Sequence, residues 1–113
     1  MTEEQMDKVD ALVAEKVMGK EWITAFKSHK TPMGGGNPRF APTRLDGQAA
    51  QVRRRMVELG WVPMMDYHRL NKVYHCLLAK DGICFTHGYA PTEALATCIA
   101  ALRAVGVNDE EWE

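Results

Sequence analysis

Four apolar residues, Met6, Val9, Val13 and Val17, recur every three or four positions, the spacing of one helix face. Thr2 and Gln5 stand at capping-box spacing ahead of them, so each side chain can satisfy a free backbone N–H at the helix start. Gly19, able to turn left-handed, marks the end. A second set, Ala49, Val52, Met56 and Leu59, follows Asp46, an acid suited to cap a helix start, and stops at Gly60. A third, Leu95, Cys98, Ile99, Leu102 and Val105, starts behind Thr92 as cap and closes at Gly106. Between Trp61 and Tyr89 the pattern is that of strands: "WVPMMDYHRL", "VYHCLLAK" and "ICFTHGY". Asp81-Gly82 reads as a two-residue hairpin loop, because both turn positions need positive φ. That register sets Leu78 opposite Phe85, Cys76 opposite His87 and Tyr74 opposite Tyr89, with His75 and His87 on opposite faces. Both faces carry much apolar surface, so cover on both sides is expected. The expected fold is α+β: an α/β/α sandwich with a three-stranded antiparallel sheet and three helices in the order ααβββα, as one domain over 1–113.

Residues 20–44 fit none of these patterns. They hold "TPMGGGNPRF" at 31–40 and the prolines Pro32, Pro38 and Pro42. Proline has no N–H to donate and fixes its φ, so neither a long helix nor a central strand suits the stretch. A long Gly/Pro-rich loop is expected, and loops of this length inside a domain are often functional. Residues 107–113 read as an acidic tail.

The charge distribution changes the picture more than the composition does. The net charge of the 113 residues is −1, yet residues 20–55 carry Lys20, Lys27, Lys30, Arg39, Arg44, Arg53, Arg54 and Arg55 against Glu21 and Asp46, a local +6. A local basic zone on a near-neutral chain suits a small anion better than a long nucleic acid, which asks for a broad basic face. Hydrophobic residues make up 46%, which suits a packed core. No apolar run approaches a membrane span, and the acidic first ten residues do not resemble a signal peptide. A soluble protein of the (host-cell) cytoplasm is expected. Three cysteines with no C-x-x-C pair support neither a disulfide framework nor a structural zinc site.

Three blocks resemble the phage ABA sandwich domain family: "LVAEKVMG" at 12–19, "APTRLDGQAAQVRRRM" at 41–56 and "YAPTEALATCIAALRAVGV" at 89–107. The resemblance implies an α-β-α sandwich and a phage or prophage origin. It implies no activity and no transferable site residue.

The glycine run lacks the G-K-[ST] of a P-loop and the G-x-G-x-x-G of a dinucleotide fold. Consecutive glycines can still point several N–H groups into one anion-binding hollow. Lys27, Lys30, Arg39 and Arg44 can add charge-assisted bonds, and Trp22 and Phe40 can stack on a base. The candidate ligand residues are therefore Trp22, Lys27, His29, Lys30, Gly34, Gly35, Gly36, Arg39, Phe40 and Arg44; the competing reading is a slack connector. Cys76 and His87 are a candidate nucleophile and base, against the plainer reading of a core thiol, while Ser28 and His29 are adjacent in sequence and such neighbours rarely present a working pair. No histidine spacing supports a metal site, and no catalytic residue, metal or cofactor is expected. The expected function is a non-enzymatic phage binding protein that captures a small anionic, nucleotide-like ligand, in its concrete form a counter-defence sponge for an immune signal. The alternative is a protein–protein adaptor acting through the acidic tail, with Trp112 as an exposed anchor. A homo-oligomer is expected, because the edges of a short sheet invite pairing.

Overall fold

The structure is a computed structural model in which residues 1–19 and 40–113 are described. Helix α1 spans Glu3–Leu12 and continues as a π-helical turn, Val13–Met18; α2 spans Asp46–Glu58 and α3 Glu93–Ala104. Strands β1 (Val62–His68), β2 (Val73–Lys80) and β3 (Cys84–Ala90) form one antiparallel sheet in the order β1-β2-β3. A short 3₁₀ turn, Asp109–Glu111, follows α3. The helices and strands thus come in the expected order, ααβββα.

Local chemistry explains most boundaries. The Thr2–Gln5 capping box is formed in full, and Gly19 leaves the π turn at φ +86°. The wider π turn lets Val13, Val17 and Met18 all face inward. Thr92 caps α3 by accepting from the Leu95 N–H. Asp46 proves not to be a cap: Leu45 holds that position without a side-chain bond, and Asp46 lies in the first turn, where its charge complements the helix dipole.

Helix α3 is the hub. Every residue from Ala94 to Leu102 is buried, as expected only of a helix with neighbours all round. One side lies on β2 and β3, and the others meet α1, the π turn and α2. Gly88 on β3 permits the close approach, for a Cβ there would stand 2.2 Å from the Ala96 carbonyl oxygen and 2.7 Å from the Ala100 nitrogen. The core gathers Val9, Val13, Val17, Val52, Met56, Cys76, Leu78 and Leu102 around this helix. The three consecutive arginines of α2 divide as their helical fan requires. Arg53 donates to the Thr97 hydroxyl and Arg55 to the Val17 carbonyl, while Arg54 is exposed.

Three further expectations need correction. The hairpin loop holds three residues, not two. Asp81 and Gly82 do take positive φ, and the Ile83 N–H bonds back to the Lys80 carbonyl, but Ile83 is an extra residue before pairing begins at Lys80–Cys84. Every β2–β3 pair therefore slips by one, so Cys76 faces Gly88 and His87 faces Leu77. Second, the expected cover on both faces is one-sided among the described residues. The helices lie on the face of Cys76, Leu78 and Gly88, and the face of Met64, His75 and Phe85 is open. Third, Trp112 is not an exposed anchor. It is 3% exposed and belongs to the core, and a bidentate Arg103–Asp109 ion pair (2.7 and 3.0 Å) holds the tail against α3.

The chain is pinned on both sides of residues 20–39. Before them, the Val17 carbonyl accepts from Arg55 Nε at 3.2 Å. After them, the Thr43 N–H donates to the buried Asp10 carboxylate at 3.0 Å, and Arg44 Nη2 donates to the Glu3 carbonyl and to Asp7 Oδ1.

Candidate functional site

Of the sequence-derived candidates, Trp22, Lys27, His29, Lys30, Gly34, Gly35, Gly36 and Arg39 lie outside the described residues. Phe40 and Arg44 are described. Phe40 packs half-buried against the core. Arg44 spends its guanidinium on α1 through Asp7 at 3.1 Å, with Asp10 at 4.0 Å, so it tethers two elements before it meets any ligand.

Arg44 nevertheless lines a cleft of about 460 Å³. The turn Ala41–Arg44 enters α2 there, and Pro91-Thr92 enters α3, so the N-termini of two helices share one hollow. Thr43, Tyr74 and Thr92 supply hydroxyl-bearing side chains to its lining. The first N–H groups of a helix have no partner within it and carry partial positive charge, so such a hollow attracts acceptors and anions. Asp46 and Glu93 stand at the same rim and oppose this with two exposed carboxylates. Sequence alone marked Thr92 and Asp46 as helix starts. Their meeting in one cleft depends on how α3 docks and carries no signal in spacing.

The slipped register builds a second cluster on the open sheet face. Asp66, His75 and Tyr89 form one row across the three strands, and Met64, Leu77 and His87 form the next. The His75 ring lies parallel to those of Tyr89 (centroids 4.4 Å) and His87 (5.0 Å), which are themselves 6.4 Å apart, while His68 meets His75 edge-on at 5.5 Å. His75 Nε2 and His87 Nδ1 are 2.7 Å apart, a hydrogen bond that needs one ring to donate and the other to accept. The His75 pKa lies below 6.5: desolvation leads, the His87 and His68 charges add to it, and Asp66 opposes. Among the described residues no three His, Cys, Asp or Glu side chains are placed so that they could hold a metal ion together.

The Cys76–His87 pair is not formed. Successive strand positions point to opposite faces, so Cys76 lies under α3 while His87 stands on the open side. Burial pushes the Cys76 thiol up, only partly opposed by Thr97 and Arg53, which disfavours the nucleophilic thiolate. Cys98 is raised further, again by burial. Ser28 and His29, neighbours in sequence, lie outside the described residues.

Among the described residues no helix is long and apolar enough to cross a membrane. No family model, curated protein or solved structure matches the chain.

Proposed function

We propose that the protein is a non-enzymatic binding protein that captures a small anionic, nucleotide-like ligand. The observation that carries this reading is the cleft where α2 and α3 begin, because two helix N-termini, Thr43 and Arg44 converge on it. The chain reaches this cleft directly after its most basic stretch, so Lys27, Lys30 and Arg39 are close to it along the sequence. Phe40, three residues before Thr43 in the chain, is the aromatic candidate for stacking on a base. In its concrete form the ligand is a nucleotide-derived immune signal and the protein a phage-borne sponge; the three sequence blocks that resemble the phage ABA sandwich family support that setting.

A thermal-shift panel of cyclic di- and trinucleotides and ADP-ribose derivatives tests the reading, since a ligand that binds only the folded state raises Tm. One compound should give a clear shift. Lys30→Ala with Arg39→Ala should abolish it at unchanged Tm of the free protein. Asp46→Asn with Glu93→Gln should strengthen it by removing two repelling charges from the rim. A flat panel refutes ligand capture. A shift that ignores the rim variants refutes this cleft as the site.

A second reading, a protein–protein adaptor, is favoured by a different observation than the tail. Trp112 is used internally, but the open sheet face exposes Val62, Met64, Phe85 and Tyr89.

A further inference from the structure

We infer that the open face of the sheet is a homodimer interface, packed face to face on the same surface of a second copy. This rests on neither the cleft nor its ligand.

The face is built for contact rather than for water. Its rows are His68–Val73, Asp66–His75–Tyr89, Met64–Leu77–His87 and Val62–Ala79–Phe85. These eleven residues include one carboxylate and no lysine or arginine. Val62 is 60% exposed, Phe85 52%, Tyr89 51% and Met64 48%, and Ile83 at the adjoining turn is 82% exposed. Charge depletion with enrichment in aromatics and methionine is the signature of an interface centre.

Self-complementarity selects a second copy as the occupant. A two-fold axis along the strands lays β1 of one copy over β3 of the other and keeps each row in place. Val62 then meets Phe85, and Met64 meets His87. Asp66, an acceptor, meets Tyr89, whose phenol donates. No like charges are opposed at neutral pH. The size also fits. Seven paired positions across three strands cover about 23 Å by 14 Å, and side-chain relief roughly doubles that, giving on the order of 650 Å² per copy. Two copies bury about 1,300 Å², the lower end of specific interfaces. A reversible dimer follows.

The histidines make this contact pH-sensitive. His75 is faced by Asp66 and His68 on β1 and by His87 and Tyr89 on β3; from α3, Arg103 donates to the His87 carbonyl at 2.7 Å. Only Asp66 favours the protonated state. The two-fold sets His75 of the central strand against His75 of the second copy, so acid brings two like imidazolium charges face to face within the contact.

Sedimentation equilibrium of the full chain tests this. At about pH 7.5 it should show a dimer with a Kd in the range of about 1–100 µM, and at about pH 5.5 the Kd should rise at least about tenfold. Phe85→Glu and Met64→Glu should each leave a monomer at all concentrations. The circular dichroism spectrum of each should be unchanged, because both side chains are about half exposed in the single chain. A monomer at about pH 7.5 up to about 500 µM overturns the inference and leaves the face to another protein or to residues 20–39. A dimer indifferent to both glutamates overturns it as well, by placing the interface elsewhere.

Discussion

Alanine in place of glycine should have opposite effects at two positions of this chain, and the pair tests the packing of the central helix. At Gly88 the new methyl group would lie 2.2 Å from the Ala96 oxygen, where ordinary contact begins at 3.4 Å, and 2.7 Å from the Ala100 nitrogen. Both obstacles are backbone atoms of α3, which cannot rotate away as a side chain can. The helix must move by about 1 Å, and it is packed on every side. Overpacking a core costs about 1–3 kcal/mol, and this case belongs at the upper end, about 3 kcal/mol. For a domain of this size that lowers Tm by about 12–24 °C. At Gly47, in the first turns of α2, nothing lies within 4 Å of the new Cβ and φ is not left-handed. Alanine there reduces the freedom of the unfolded chain and should stabilise by about 0.5 kcal/mol. Urea denaturation followed by circular dichroism reads both, with an unchanged m-value as the control for two-state behaviour. If Gly88→Ala stays within about 0.5 kcal/mol of the parent, the reasoning fails, for α3 would not approach the sheet so closely.

Three further outcomes follow. Trp112→Ala should cost about 3–5 kcal/mol in the same assay, as expected of a core aromatic; a loss below about 1 kcal/mol would return the tail to solvent. Asp10→Ala should cost about 1–3 kcal/mol because the Thr43 N–H loses its acceptor, and Asp10→Asn, which keeps an oxygen, should cost less; equal losses would assign the effect to charge instead. As pH falls below 6.5 the unfolded chain protonates His75 before the folded chain does, so stability should decline there, and His75→Gln should flatten the decline in a Tm–pH profile; an unaltered slope would mean that this ring does not carry it.

Helix ends were legible in the sequence because their signals are local. Thr2, Gly19, Gly60, Thr92 and Gly106 each act within one turn of chain. The hairpin was legible only in kind. Asp81-Gly82 announces positive φ, but nothing in the dipeptide reveals that Ile83 is also outside the ladder, and one extra residue exchanges the faces of all β3 side chains. That single slip hid the histidine cluster on the open face and created the apparent Cys76–His87 pair. Trp112 was misjudged for a related reason. Its acidic neighbours suggest solvent, while the contact that buries it comes from α3 and the Arg103–Asp109 pair, both set by tertiary packing. Of the ligand candidates, the sequence could name the basic and glycine residues but not the cleft, which exists only where two separately coded helix starts meet.

The pins on either side of residues 20–39 have a consequence for how such a protein changes over time. The Arg55–Val17, Asp10–Thr43 and Arg44–Asp7 contacts are made entirely by residues outside the segment, so its attachment points do not depend on its own sequence. Closing a chain between fixed ends costs only about 0.6 kcal/mol more for each doubling of length. The fold therefore works as a socket, and what is plugged between Gly19 and Phe40 can be lengthened, shortened or rewritten while the core goes on holding the same two ends.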